Sequence, residues 1–183
     1  MLSNKILMAI YQSANKFVRL SVFVLIGCCM LPSCTNDKGE SVSINDGTFF
    51  KLINTIQGFQ YYKRTTDTLV SASGSPHGSY MRVRFNQTAV ESMNNDLNAL
   101  NADRFADGAI VVKEIYDSPG GNLKLYAAMF KSTIDANTGG GWIWAEYGPG
   151  GDVVYSTNRK GADCTACHSS AGNRDLVRTF SLH

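Results

Sequence analysis

The chain has 183 residues, with 44% hydrophobic and 17% charged residues, an ordinary balance for a globular protein. Its 17 basic and 15 acidic residues give a formal net charge of +2, and no basic run is interleaved with aromatic residues. This weak bias argues against a nucleic-acid partner, and the length suits one domain with a targeting segment.

The N-terminal region has the pattern of a bacterial export signal. Basic residues precede an apolar run over residues 20–31, which is shorter than the ~20 residues that a transmembrane helix needs. Leu31-Pro32-Ser33-Cys34 resembles a lipobox and a polar stretch follows it, so we expect Cys34 to be lipidated. Cys28 is the alternative, because Leu25-Ile26-Gly27-Cys28 also fits the pattern but would leave apolar residues in the tether.

These features divide the chain into three parts. Residues 1–34 are predicted to be a lipoprotein signal peptide, residues 35–46 a polar tether and residues 47–183 the functional domain. The domain is therefore expected to face the periplasm or the cell exterior, held at a membrane by its lipid anchor.

The domain is predicted to be α+β, an antiparallel sheet with a few helices. Alternation and β-branched residues indicate strands over residues 60–72, 80–85, 109–116, 125–131, 142–147 and 153–155, separated by turn-forming residues. Apolar residues at helical spacing predict a helix over residues 88–100, with Thr88 as its N-cap. A further helix is expected through the Cys-His segment near the C-terminus.

That segment, Cys164-Thr165-Ala166-Cys167-His168, has the CxxCH pattern of haem attachment. Two thiols three residues apart on one helical turn can each form a thioether with one vinyl group of the same haem, and the adjacent His168 reaches the iron. The alternatives are a disulfide, a redox-active CxxC pair and half a zinc site. A zinc site would need two more ligands, and the domain has no second cysteine pair. The motif therefore predicts one covalent haem c.

The pattern around this motif resembles the cytochrome P-460 family, which is related in fold to cytochrome c′-beta. The likeness covers about residues 60–180. It is carried by Met81-Arg82-Val83, by Phe105 to Glu114 with its final Val-Lys-Glu, by Ala127 to Lys131, by Gly141-Trp142, and by the late CxxCH followed by Asp175-Leu176-Val177.

The resemblance implies a role for several positions. Cys164 and Cys167 would hold the haem, with His168 as axial ligand. Lys113 matches the lysine that in cytochrome P-460 is covalently joined to a meso carbon of the porphyrin. Arg82 matches an arginine near the haem. Ala127 stands where the hydroxylamine-oxidising members are expected to carry a distal carboxylate, and alanine cannot accept a proton.

The sequence around Lys113 agrees with the resemblance in part. Lys113 lies in an apolar strand, on the face shared by Val111 and Ile115. A lysine is rarely buried, and desolvation there would lower its pKa and make its amine nucleophilic. The alternative is a lysine that extends to solvent or pairs with a carboxylate.

Three functions compete. The first is an enzyme that oxidises hydroxylamine, or a similar small nitrogen compound, at a five-coordinate haem and passes the electrons to a redox partner protein. The second is a module that binds nitric oxide or a related diatomic gas in an apolar pocket formed by Ala127, Leu125 and Met129. The oligomeric state is left open between a monomer and a homodimer.

The third function is an electron carrier with six-coordinate iron, which needs a distal histidine or methionine. We rank it last, because His77 lies in a predicted loop and His183 is terminal. Met81, Met93 and Met129 are more typical of core residues. The enzyme is the hypothesis taken forward, with turnover weakened by Ala127.

Overall fold

The computed structural model describes residues 43–71, 75–170 and 172–183. Cys34, its alternative Cys28 and most of the predicted tether lie outside the described residues, so lipidation stays a prediction. Within those three ranges, no helix has both the length and the apolar character needed to cross a membrane.

In the described part of the chain, seven strands form one antiparallel sheet, which confirms the α+β prediction. They are β1 (Gln60–Tyr61), β2 (Leu69–Val70), β3 (Tyr80–Phe85), β4 (Ile110–Tyr116), β5 (Leu123–Lys131), β6 (Trp142–Tyr147) and β7 (Val153–Tyr155). The order is β1-β3-β4-β5-β6-β7, and β2 also pairs with β3. From β3 onward, strands adjacent in the chain are adjacent in the sheet, so residues in register form rows across it.

Each face of the sheet carries its own core, because successive side chains of a strand point to opposite faces. Met81, Val83 and Phe85 of β3 belong to the core of the first face, together with Trp142 and Trp144 of β6. The core of the second face includes Ile110, Val112, Ile143, Ala145 and Tyr147.

Helix α1 (Asp46–Thr55) covers the second face. The side chain of Asn45 accepts a hydrogen bond of 2.9 Å from the main-chain N–H of Thr48 and so caps the first turn. Phe49 and Ile53, one turn apart, are buried against the sheet. No element was predicted over these residues, although Phe49, Leu52, Ile53 and Ile56 recur at helical spacing.

The predicted strand over residues 60–72 is interrupted in the structure. A 3-10 turn (Tyr62–Arg64) separates β1 from β2. Lys63 and Arg64 within this turn have φ angles of 52° and 55°, which no strand can contain. The pattern of β-branched and aromatic residues therefore marks two short strands at the edge of the sheet rather than one.

The predicted helix over residues 88–100 is much shorter. Helix α2 (Gln87–Glu91) begins after Asn86, which is the N-cap in place of Thr88 and accepts a hydrogen bond of 3.0 Å from Ala89 N–H. Beyond it, the Asn94 side chain accepts hydrogen bonds from the N–H groups of residues 98 and 99, and Leu97 has a φ of 53°. These local bonds compete with the helix and end it. Leu97 is still buried, but from a loop.

Two short helices near the C-terminus face the first side of the sheet. Helix α3 (Thr165–His168) includes all of the CxxCH motif except Cys164, which is its N-cap, and helix α4 (Thr179–Leu182) follows after a turn. Residues from both segments pack against the core of the first face, including Cys164 and Phe180. The space between this segment and the sheet is where the predicted site residues lie.

Candidate haem site

One row of side chains crosses the first face of the sheet. In register from β3 to β7, the row contains Val83, Lys113, Ala127, Glu146 and Tyr155. All five line one cavity beneath the C-terminal segment. The strand pairing therefore brings Lys113 and Ala127 side by side.

This inner cavity has a volume of about 650 Å³ with its open mouth included. Its walls are mainly apolar and include Met81, Val83, Val111, Met129, Trp144 and Val177. An outer cavity adjoins it and shares Lys113, Glu146 and His168, but also includes Asp163 and Cys167. The site is thus apolar inside and polar toward its opening.

Helix α3 brings the three residues of the CxxCH motif together on one turn. The main-chain carbonyl of Gly161 accepts hydrogen bonds from Cys164 N–H at 2.9 Å and Thr165 N–H at 3.0 Å, and His168 N–H donates to the Cys164 carbonyl at 3.1 Å. Cys164 and His168 line the inner cavity, and Cys167 lines the outer one. Both cysteines are free thiols and not a disulfide. Burial raises the pKa of the Cys164 thiol.

The ring of His168 is oriented for metal binding. Its Nδ1 donates to the Leu176 carbonyl at 2.6 Å, and Nε2 makes no hydrogen bond to any described residue. Trp144 packs against the ring with a centroid separation of 4.9 Å. Burial lowers the pKa of His168 to about 4, so the ring is neutral at physiological pH. A neutral imidazole that donates from one nitrogen to a carbonyl can bind a metal through the other.

A buried ion pair fixes the turn that carries this carbonyl. Lys131 Nζ lies 2.6 Å from Asp175 Oδ1, and the two side chains are only 5% and 10% exposed. The other carboxylate oxygen accepts from Phe105 N–H at 2.8 Å, and the Asp175 carbonyl accepts from the Trp142 indole at 2.9 Å. Asp175 and Leu176 both have left-handed backbone conformations, with φ of 47° and 64°.

Lys113 is half-buried and faces both cavities. Burial, aided by the nearby charge of Arg178, lowers its pKa to about 8, although Cys167 and Glu146 act in the opposite direction. In the three described ranges, its amine forms no ion pair within 4.0 Å. The alternative in which Lys113 pairs with a carboxylate is therefore not observed among the described residues.

Ala127 presents only a methyl group to the inner cavity, and Met129 lies beside it on the same strand. Leu125, expected on the same wall, does not line the cavity. Two polar residues that were not predicted to belong to the site, His77 and Glu146, do line this cavity. Glu146 is next to Ala127 in the row, and His77 Nδ1 lies 3.1 Å from Glu146 Oε1. The alternation of β6 places Glu146 on this face, but nothing in the sequence indicates where the loop carries His77.

Arg82 does not lie in either cavity, which corrects its expected position beside the haem. It is in register with Glu114 of the neighbouring strand and faces the second side of the sheet, where its guanidinium lies 5.0 Å from the Tyr116 ring centre. The ion pair of Glu114 is with Arg84. The arginine that lines both cavities is Arg178, whose Nη1 is 2.6 Å from Cys167 Sγ. Its Nε is buried without a partner among the described residues.

This set of donors fits a haem. It combines two free thiols, an imidazole with an available Nε2, apolar walls, the amine of Lys113, and the cation Arg178, which suits the carboxylates of a porphyrin. Across the described ranges, no group of three or more His, Cys, Asp and Glu side chains is arranged to hold a bare metal ion. A porphyrin needs no such group, because it supplies four iron ligands itself.

A comparison with protein families agrees with this chemistry. The family model described as Cytochrome P460 matches residues 58–179, a range that includes Lys113, Ala127 and the whole CxxCH motif. A comparison with curated proteins gives no match. Because the matched range covers well over half of the sequence, the chain belongs to the cytochrome P460 family of haem cytochromes.

Proposed function

We propose that this chain is an exported c-type cytochrome that oxidises hydroxylamine, or a similar small nitrogen compound, at one covalent haem. Cys164 and Cys167 would hold the haem through thioethers, and His168 would bind its iron, which would keep a position for the nitrogen compound. A redox partner protein takes the electrons. The observation that carries this proposal is Lys113, an amine whose pKa is lowered to about 8 inside the cavity that also contains Cys164 and His168.

The haem, when bound, supplies an iron that can hold a nitrogen compound and take up its electrons. The chain fixes the axial imidazole through the Leu176 carbonyl. The neutral form of Lys113, whose pKa is about 8, is available to attack the edge of the ring. Replacing a ring C–H bond by a C–N bond is a two-electron oxidation, so this step would need an oxidant such as a peroxide, which takes up the N–H and C–H hydrogens and is reduced to water. The walls around the reacting groups are mainly apolar, so water reaches them chiefly from the polar outer cavity.

Proton removal is the weak point of the proposed reaction. Oxidation of a protic nitrogen compound requires a group that accepts its protons, and the methyl group of Ala127 cannot do so. Water can enter from the polar outer cavity, which is lined by Asp163 and Glu146. We therefore expect slow turnover rather than none.

Haem attachment and the lysine bond can be tested on one preparation. Protein made with a cytochrome c maturation system should keep its haem through denaturation, whereas the double variant Cys164→Ala, Cys167→Ala should lose it. Tryptic mass spectrometry should then find haem joined to the Lys113 peptide, and Lys113→Met is the matched control. Haem extracted from the wild type by acid acetone would contradict covalent attachment. A free Lys113 peptide in haem-loaded protein would contradict the cross-link.

The apolar wall formed by Ala127, Met129 and Val111 favours a second candidate, a protein that binds nitric oxide or a related gas without turnover. Steady-state assays with hydroxylamine distinguish the two candidates. Measurable electron transfer to an artificial acceptor supports the enzyme. Tight binding of nitric oxide by the ferrous protein, with no electron release from hydroxylamine, supports the gas-binding module.

A further inference from the structure

All three histidines of the sequence line the inner cavity, although His77, His168 and His183 are far apart in the chain. His77 lies on the connection between β2 and β3, directly before Gly78. Its Nδ1 is 3.1 Å from Glu146 Oε1, and the two side chains are 19% and 21% exposed. The loop thus holds an imidazole against a carboxylate at the mouth of the cavity.

His77 and His168 are constrained in the same way. In each ring Nδ1 faces an oxygen, the carboxylate of Glu146 for His77 and the carbonyl of Leu176 for His168. Neither Nε2 makes a hydrogen bond to another described residue. Histidines that bind metals almost always use one nitrogen for the metal and give the other to a carboxylate or carbonyl. Both rings therefore have the surroundings of a metal ligand.

The separation of the two rings fits a single metal ion between them. Their centroids are 6.4 Å apart and their planes meet at 81°. Two imidazoles bound to one ion from opposite sides, with metal–nitrogen bonds of about 2.0–2.1 Å, have centroids about 6 Å apart. The described residues around them offer no third and fourth protein ligand, which a bare ion would need but a haem iron would not.

We propose that His77, oriented by Glu146, is a second axial ligand that caps the haem iron in the resting protein. This inference rests on the haem attachment proposed above, and it adds a resting state to the five-coordinate reactive form. His77 must leave the iron before a small nitrogen compound or a gas can bind. Glu146 acts as a positioning residue, since it contacts the imidazole and not the iron.

The spin state of the iron tests this inference without an activity assay. We expect optical and electron paramagnetic resonance spectra of the ferric wild type to be low-spin and six-coordinate, and those of His77→Phe to be high-spin. Added imidazole should return a His77→Gly variant to low spin. His183→Phe is the matched control, because it removes the other free histidine of the cavity and should leave the iron low-spin.

Ligand binding gives a second measurement. If the cap is closed in about nine molecules of ten, removing it should strengthen the apparent affinity for carbon monoxide about tenfold. We expect that gain in His77→Phe and not in His183→Phe. A smaller gain is expected in Glu146→Gln, which keeps the shape of the side chain but weakens its hold on the ring.

Three outcomes would overturn the inference: a high-spin wild type, a His77→Phe variant that stays low-spin, or conversion to high spin by His183→Phe alone. These outcomes are independent of the proposed oxidation. A low-spin protein that His77→Phe converts to high spin supports the cap even if hydroxylamine is never oxidised. A high-spin wild type with brisk turnover supports the enzyme and refutes the cap.

Discussion

At the scale of single residues, Lys113 has the most unusual environment. Burial lowers its pKa from 10.5 to about 8, and the positive charge of Arg178 adds to this effect. In haem-free protein with ¹³C-methylated lysines, we expect one NMR resonance to titrate near pH 8 and to be missing in Lys113→Met. Arg178→Gln removes a like charge, so it should raise the pKa of Lys113. A midpoint near 10.5 would show that the amine is solvated.

Ala127 decides how fast the proposed reaction can be. Its Cβ faces the cavity between Lys113 and Glu146, so a longer carboxylate at this position would extend into the same space. General-base assistance is commonly worth about 10²–10⁴ in rate. We therefore expect Ala127→Glu to raise kcat for hydroxylamine by about 100-fold, with Ala127→Gln as the uncharged control. Brisk wild-type turnover that Ala127→Glu does not improve would show that another group, or water, already accepts the proton.

Strand residues of the site were predictable, and loop residues were not. The resemblance to cytochrome P-460 selects Lys113 and Ala127, and the alternation of side chains along β4 and β5 places both on the face that lines the cavity. Alternation within β3 also separates Arg82 from Met81 and Val83, so the face of Arg82 could have been inferred. His77 and Arg178 reach the cavity through turns whose conformation depends on contacts distant in the chain.

At the scale of elements, the orientation of His168 depends on a turn held by one buried ion pair. Asp175→Asn keeps a residue that tolerates the left-handed conformation but leaves the charge of Lys131 buried without a partner. Breaking a buried pair in this way costs about 3 kcal/mol. Urea denaturation of the haem-loaded protein should show this loss, and a smaller one in the double variant Lys131→Met, Asp175→Asn. Equal losses would mean that the ion pair itself contributes little.

Sequence periodicity predicts the bounds of β3 and β6 but fails for the helix expected over residues 88–100. Alternating residues of β3 and β6 meet two cores, so their bounds were predicted as observed. Residues 92–100 have helical spacing of apolar side chains, but several asparagines lie between them. Side-chain oxygens of asparagine bond to nearby main-chain N–H groups, and Leu97 and Leu100 are then buried from a loop instead.

At the scale of the whole molecule, use of the haem motif depends on the predicted export signal. Covalent haem c is attached outside the cytoplasm, so the CxxCH motif can be used only if the chain is exported. The predicted signal over residues 1–34 provides that route, and Cys34 would then hold the protein at the membrane. Haem attachment requires export but does not require the lipid. Lipidation and haem attachment should therefore be separable by mutation.

We expect Cys34→Ser, expressed with a haem maturation system, to keep its covalent haem but to lose the label of an alkyne fatty acid and its membrane association. Cys28→Ser is the matched control and should keep both haem and label. Deletion of residues 2–34 should leave a cytoplasmic protein without covalent haem. Label that persists in Cys34→Ser and disappears in Cys28→Ser would move the lipidation site to Cys28. Covalent haem on the deletion variant would show that its attachment does not depend on this signal.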